Sequence, residues 1–428
     1  MTEVLDILVK FNPWWDEKGF DAGITREKYF SKVKKFLTTG EIVILSGVRR
    51  SGKTTLLYQT IYDLINNQNV DPKKILFVNF DEPELITFDN PIKTILDTYE
   101  QDVCSDDKTY LIFDEIQNVD GWERWIKSIY DRKNNHLIIS GSSSHLLDSK
   151  LSTLISGRYL KIPVYPLDFS EYLMFNGIKV ENNSLALATN KNKIMNLLKG
   201  YLYEGGFPRV VLEKDDSLKA EYLKSYYDSI LYRDIVLTYD IRNIKSLREL
   251  TYYLCSNFTS LYSYRKLGDL LNMDPSTLKE YMYYAEQAKI LFEIQYFSYS
   301  VKTQSMNNKK IYCIDNGLRN SISFKFSEDE GRLTENLVFL ELKRRGHEPY
   351  YWNKKGEVDF VIKNIDNSLT AINVSFTNEL DERKTRALME FSDEFKPKVN
   401  ELILLTKNTE KIEDGIVFIP LWKWLLVN

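Results

Sequence analysis

Eight residues, Gly47-Val48-Arg49-Arg50-Ser51-Gly52-Lys53-Thr54, restrict what this chain can become more than any other stretch. They fit G-x-x-x-x-G-K-[ST], a loop whose backbone N–H groups surround phosphates while the lysine reaches the terminal phosphates and the hydroxyl binds Mg²⁺. The flanks agree. Residues 41–45 are an apolar, β-branched run of buried-strand length, and residues 55–61 continue with helical apolar spacing. Strand, glycine loop and helix follow in the order an anion site needs, because free N–H groups and the helix dipole both favour negative charge. Gly47, Arg49, Arg50, Ser51, Gly52, Lys53, Thr54 and Thr55 are therefore expected to bind ATP, with Thr54 also on Mg²⁺.

Tyr110-Leu111-Ile112-Phe113-Asp114-Glu115 is the second chemical element. Four apolar residues ending in two acids describe a buried strand that delivers carboxylates to the C-terminal edge of a sheet, beside the loop. Asp114 is assigned to Mg²⁺ through its water shell, and Glu115 to the attacking water, as orienting group or base. Residues 74–81 read as a further buried strand and residues 91–99 as a helical segment, an alternation that implies parallel strands in an α/β fold. The strand at 137–143 ends in Ser140, Ser142 and Ser143. In such a sheet it lies between the two phosphate-facing strands, so Ser140 or Ser142 either contacts the γ-phosphate or water, or caps a helix at His145-Leu146-Leu147. Arg158, before a strand at 159–164, suits a charge-stabilising finger in cis or in a neighbour's site, or else a surface salt bridge.

Composition excludes several classes. At 428 residues the chain exceeds one typical core, and 43% hydrophobic with 28% charged residues describes a globular protein rather than a disordered one. No apolar run approaches membrane-spanning length, and Glu3 and Asp6 stand where a signal peptide would be basic, so a cytoplasmic protein is expected. Cys104, Cys255 and Cys313 lack the spacing of a metal knuckle or a disulfide framework. With 57 basic and 61 acidic residues, a nucleic-acid surface would have to be a local patch. The first forty residues, with Asn12-Pro13-Trp14-Trp15 and a basic amphipathic stretch at 26–36, read as helical packing on the nucleotide domain.

The order G-x-R-R-x-G-K-T, I-F-D-E-I-Q, S-G-S-S, G-R, then Pro166-Leu167-Asp168-Phe169-Ser170-Glu171-Tyr172, resembles prokaryotic AAA-type ATPases with a DUF4143 region after the ATPase core. Glu204-Gly205-Gly206-Phe207-Pro208 and Leu231-Tyr232-Arg233-Asp234-Ile235 extend the resemblance, which covers nearly the whole chain. It implies an α/β P-loop core of AAA type with a helical lid, then a winged helix-turn-helix and a C-terminal α/β domain similar to PD-(D/E)xK nucleases. The expected divisions are an N-terminal segment 1–40, the ATPase core 41–166, lid and linker 167–240, winged helix 241–325 and nuclease-like domain 326–428.

Residues 263–271 form an amphipathic helix, Asn272-Met273-Asp274 break it, and Asp274 caps a second helix with Pro275 in its first turn. Two short helices on a tight turn describe a helix-turn-helix, with strands at 290–294 and 310–315 as its wing. Arg265, Lys266, Ser276, Thr277, Lys279, Lys309 and Lys310 are its candidate DNA contacts, interrupted by Asp269, Asp274, Glu280 and Glu286. Packing or protein contact is the competing use of this element. Further on, Glu335 and Asp359 match the helix acid and strand acid of the nuclease-like fold, but Asn373 and Ser375 replace its acid-x-lysine pair. An amide and a hydroxyl are poor substitutes for a metal-binding carboxylate and a cation. The domain is expected to have lost hydrolysis, unless Arg383 or Lys384 supplies a migrated cation.

The function expected is a Mg²⁺-dependent ATPase coupled to DNA-binding domains. The alternatives are a nucleotide-gated switch for a protein partner and an ATP-controlled nuclease. A finger in trans would require a homo-oligomer.

Overall fold

The structure, a computed structural model, describes the chain except for residues 1, 107, 134, 143–154, 156, 180–183, 324–329, 378–380 and 428. Ser143 and the helix expected at His145-Leu146-Leu147 lie outside the described residues. The chain divides into two compact units, residues 1–164 and 165–428.

The first unit is built on five parallel strands: β1 (Ile42–Ser46), β2 (Ile75–Asn79), β3 (Tyr110–Asp114), β4 (His136–Gly141) and β5 (Tyr159–Pro163). They are ordered β2-β3-β4-β1-β5. Every residue of β1 is buried, as expected of a parallel strand covered on both faces. This order places the tip of β4 between those of β3 and β1, where Ser46 pairs with Gly141. The helix Lys53–Asn66 follows the glycine loop and buries Leu56, Leu57, Ile61 and Leu64 on the sheet.

The N-terminal segment does more than pack a helix on this unit. Strand β2 is an edge, and its outer backbone groups need partners. The Asn12 side chain supplies two of them, accepting from Phe77 N at 2.7 Å and donating to Phe77 O at 2.9 Å. The indole N–H groups of Trp14 and Trp15 both donate to Ile75 O, at 3.2 and 2.9 Å. One amide and two indoles thus seal the edge with side chains.

The second unit opens with helices, including Phe169–Phe175, which Asp168 and Glu171 start with a reciprocal capping box. Ile230–Val236 forms a π-helix over the Leu231-Tyr232-Arg233-Asp234-Ile235 stretch. Helices Tyr264–Leu271 and Pro275–Gln287 follow, the first ended by Asn272 in a left-handed conformation (φ 50°) and the second capped by Asp274. A three-stranded sheet, β6 (Leu261–Tyr262), β7 (Leu291–Ile294) and β8 (Lys309–Cys313), runs in the order β6-β8-β7. Beyond the helix Glu330–Arg344, a mixed six-stranded sheet contains β9 (Tyr350–Asn353), β10 (Glu357–Lys363), β11 (Leu369–Ser375), β12 (Val399–Thr406), β13 (Lys411–Glu413) and β14 (Ile416–Pro420). Its order is β13-β14-β12-β11-β10-β9, and the helix Glu382–Phe395 packs across β10, β11 and β12. Among the described residues no helix is long and apolar enough to cross a membrane.

Candidate nucleotide site and a second charged cluster

The loop after β1 is shaped by backbone demands that side chains would violate. A Cβ on Gly47 would collide with Val164 O, Arg50 takes φ 66° and Gly52 φ 98°. Glycine meets such demands at little cost, and Arg50 bears the strain of the left-handed region. Arg49 is half-buried and Arg50 exposed, and neither is without a partner. The helix begins at Lys53, which leaves the first N–H groups directed at the loop. Thr55 lies half-buried in that first turn.

Four chemical side chains meet at this edge. Thr54 Oγ1 donates to Asp114 Oδ2 at 2.6 Å, and Lys53 Nζ lies 3.8 Å from Glu115 Oε1. Lys53 also donates to Gly47 O and Val48 O, at 3.1 and 3.3 Å, so its ammonium spans the loop. Glu115 leaves β3 in a left-handed conformation (φ 50°), and Gln117 Nε2 donates to its Oε2 at 2.5 Å. Burial pushes the Asp114 carboxyl up to about 6, with the charge of Glu115 adding to the effect. The hydroxyls of Ser140 and Thr54 and the Lys53 ammonium pull the other way.

Ser51 tests whether phosphate and Mg²⁺ fit here. Its Oγ is buried within the loop with no hydrogen-bond partner, an orphan that a phosphate oxygen would satisfy. Thr54 and Asp114 offer a hydroxyl and a carboxylate already in contact, a suitable oxygen set for Mg²⁺.

Two sequence expectations need correction. Ser140 is fully buried and its hydroxyl is committed to Asp114 Oδ1, so it orients that carboxylate instead of reaching the γ-phosphate. Ser142 is buried beyond it and is not without a partner. Arg158 stands at the opposite edge of the sheet. Its carbonyl accepts from Ile42 N at the start of β1, whereas the glycine loop follows the end of that strand. At ~3.3 Å of rise per residue the five-residue strand separates them by roughly 16 Å. The Arg158 guanidinium instead pairs with Asp131 at 2.8 Å, both side chains about half exposed, so a finger in cis is excluded.

Arg26 was not anticipated. The residue is 1% exposed; its guanidinium donates to Ser51 O at 2.7 Å, and its backbone N–H donates to Gln59 Oε1 at 3.3 Å. A lone arginine before an amphipathic helix carries no sequence signal for this contact. Gln117 was legible only as part of the I-F-D-E-I-Q string.

In the second unit, Arg265, Lys266, Ser276 and Lys279 are exposed and Thr277 is half-buried, as outward residues of the two helices should be. Lys309 and Lys310 are not outward. Lys309 is 7% exposed and its Nζ donates to Gln304 O at 2.7 Å. Lys310, 1% exposed, lies among Glu335, Glu357 and Asp359. Adjacent strand residues point to opposite faces, so the two lysines meet different neighbours and neither is available to phosphates.

Glu335 and Asp359 do come together, joined by Glu357, and Lys384 Nζ contacts both oxygens of Asp359 at 2.7 Å. Arg383 pairs with Asp381 at 2.9 Å. Asn373 is not a metal ligand. Its Oδ1 accepts from Asp359 N at 2.8 Å, and its Nδ2 donates to Lys384 O at 2.8 Å and Glu357 O at 3.2 Å. Ser375 is buried, with Thr377 Oγ1 3.4 Å from its hydroxyl. Glu357 was detectable in principle, since strand alternation puts residues 357 and 359 on one face.

Comparison with known proteins adds three family matches: an AAA domain over residues 39–173, a domain of unknown function (DUF8612) over 195–329, and another (DUF4143) over 330–424. The uncharacterized protein MJ1544 of Methanocaldococcus jannaschii is 33% identical over 408 residues, covering 91% of this chain and 89% of its own. An uncharacterized protein of Haemophilus influenzae is 30% identical over 95% of this chain and 99% of its own. Among solved structures, the Walker-type ATPase PABY2304 of Pyrococcus abyssi is similar over 70% of this chain and 95% of that one, with 13% identity and a TM-score of 0.47.

Proposed function

This chain belongs to the family of those archaeal and bacterial relatives, with an AAA domain followed by DUF8612 and DUF4143 regions, and from that premise we propose that it hydrolyses ATP with Mg²⁺ and couples the cycle to a DNA-binding region. The carrying observation is the convergence of Lys53, Thr54, Asp114 and Glu115 at one sheet edge.

Bound Mg²⁺ would neutralise charge on the β- and γ-phosphates. Thr54 and Asp114 would hold it, and the Ser140 and Thr54 hydroxyls fix the Asp114 carboxylate in position. Lys53 exchanges its loop carbonyls for phosphate oxygens, while the loop N–H groups and the orphan Ser51 hydroxyl supply further donors. Glu115, held by Gln117, aligns the attacking water and accepts its proton. Arg26 secures the loop from behind through Ser51 O.

ATP turnover of the wild type, Lys53→Ala and Glu115→Gln, each with and without duplex, single-stranded and branched DNA, tests this reading. Lys53→Ala should abolish turnover, and Glu115→Gln should retain ATP binding while losing about 10²-fold or more in rate, the scale of a lost general base. Wild-type turnover in Lys53→Ala, or equal loss of binding and rate in Glu115→Gln, would overturn the assignments. Stimulation by one DNA form ties the cycle to nucleic acid.

A second reading, a nucleotide-gated switch for a protein partner, is favoured by the burial of Lys309 and Lys310. It strips two cations from the helix-turn-helix region, where phosphate neutralisation would supply most non-specific affinity. Turnover indifferent to all three DNA forms would select it. The nuclease reading, which rests on Glu335 and Asp359, would require Mg²⁺-dependent cleavage lost in Asp359→Ala.

A further inference from the structure

The six-stranded sheet of the second unit opens into a cavity of about 670 Å³, lined among others by Glu335, Glu357, Asp359 and Lys384. Three carboxylates gather at its floor, Glu335 from the helix Glu330–Arg344 and Glu357 and Asp359 from β10. In a nuclease-like fold such a group would hold a divalent cation.

Here the centre of the group is taken by the ammonium of Lys310. Its Nζ lies 2.6 Å from Glu335 Oε1, 2.6 Å from Glu357 Oε1 and 3.7 Å from Asp359 Oδ1. A dication bound to the same oxygens at about 2.0–2.6 Å would need nearly the same point in space. Other donors already occupy part of the carboxylates' capacity. Tyr312 Oη donates to Glu335 Oε1 at 2.8 Å, Asn353 Nδ2 to Glu357 Oε2 at 3.2 Å, and Val374 N to Asp359 Oδ2 at 2.9 Å. Among the described residues no group of three or more His, Cys, Asp and Glu side chains is disposed as a metal cage.

Lys310 comes from β8, in the three-stranded sheet, whereas its carboxylate partners lie in the C-terminal region matched by DUF4143. Independent backbone contacts bring the two sheets together: Phe297 N donates to Tyr351 O at 2.6 Å and Tyr351 N to Gln295 O at 3.0 Å. Burying an ammonium is unfavourable unless anions surround it, which explains why this lysine is found only 1% exposed among three carboxylates. Burial by itself would lower the Lys310 pKa, but Glu335, Asp359 and Glu357 outweigh it and keep the group charged. Lys384 adds a second cation on Asp359, leaving two ammoniums against three carboxylates.

We infer that Lys310 is the resident cation of this centre: its ammonium stands where a nuclease-like site would hold a divalent metal, closes the site to metal and ties the two sheets together. The inference is independent of the ATPase reading. It also implies that removing the lysine leaves three carboxylates with Lys384 alone to offset them, an excess of negative charge that favours uptake of a proton or a cation.

Manganese binding by the full chain, followed by electron paramagnetic resonance with thermal melting in parallel, tests this. Mn²⁺ held at the cluster is identified as the portion lost on Glu335→Gln. In the wild type that portion should be absent. Lys310→Met should acquire one such site, saturable by Mn²⁺ and absent from the wild type. Its melting temperature, lowered without metal, should recover on adding Mn²⁺. The double variant Lys310→Met/Glu335→Gln should lose both effects. Wild-type Mn²⁺ binding that disappears in Glu335→Gln would overturn the inference, as would a folded Lys310→Met or Lys310→Gln chain that gains no site. Should neither lysine variant fold, the wild-type comparison decides the question alone.

Discussion

Asp114 shows how one residue carries both stability and chemistry. Its carboxyl is raised to about 6 from an ordinary value of 3.8, so the folded chain holds that proton more firmly than the unfolded chain. The sign follows from linkage: between about pH 4 and 6 this group favours folding more as pH falls, and that contribution is lost as pH rises through 6. Under the proposed ATPase reading metal binding would run the opposite way, because only the ionised carboxylate would hold the Mg²⁺ shell. Mg²⁺-dependent nucleotide affinity should therefore weaken below about pH 6, and Ser140→Ala, which removes a hydrogen bond that lowers the pKa, should move the midpoint upward. Calorimetric titration across this range checks it, and a Ser140→Ala midpoint at or below the wild-type value would refute the role given to that hydroxyl.

At the scale of elements, two devices decide how pieces join. The first is the side-chain seal on β2. Asn12→Ala strips two buried partners from Phe77 and should destabilise the chain by about 3 kcal/mol, since unpaired buried backbone groups cost about 1–3 kcal/mol each. Denaturant titration measures this, and a loss under about 1 kcal/mol would mean that water replaces the amide. The second is a carboxylate cradle that accounts for the Gly205-Gly206 pair. Asp315 accepts from Gly206 N at 2.6 Å and Leu318 N at 2.9 Å, capping the helix Asn316–Ile322. Gly205 sits at φ 77°, and a Cβ there would strike the Asp315 carboxylate. Gly205→Ala should cost about 3 kcal/mol, from overpacking and the left-handed backbone together, and should lower the melting temperature far more than Gly331→Ala, where no atom lies within 4 Å.

At the scale of the molecule, the pair of helices Tyr264–Leu271 and Pro275–Gln287 bears directly on whether DNA is the partner. With Lys309 and Lys310 buried, Arg265, Lys266 and Lys279 are the remaining candidate cations of the sequence analysis. If DNA binds there, each alanine substitution should weaken binding similarly across sequences and reduce the slope of log affinity against log salt by about 1. A slope unchanged in all three variants would remove this surface from consideration. Arg158 offers no finger within its own chain, so a role for it in turnover would require assembly.

What the sequence determined by itself is chemistry confined to short spans. The P-loop, the acidic strand end and the cap of the helix Pro275–Gln287 are legible because neighbours within a few residues fix them: glycine permits the turn, β-branched runs make strands, and Asp274 accepts from its own helix at Ser276 N. The loss of the acid-x-lysine pair at Asn373 and Ser375 was equally visible. Tertiary structure alone decided which distant groups meet. Arg26 lies 25 residues from the loop carbonyl it holds, Asn12 65 residues from its strand, and Lys310 47 residues from Glu357. Both Lys309 and Lys310 were expected to face DNA, although strand alternation turns neighbours to opposite faces and leaves open which face is solvent. Burial reversed the expected role of Lys310, because an ammonium enclosed by three carboxylates is bound by them and unavailable to phosphates, and no pattern local to β8 records which acids the fold will bring.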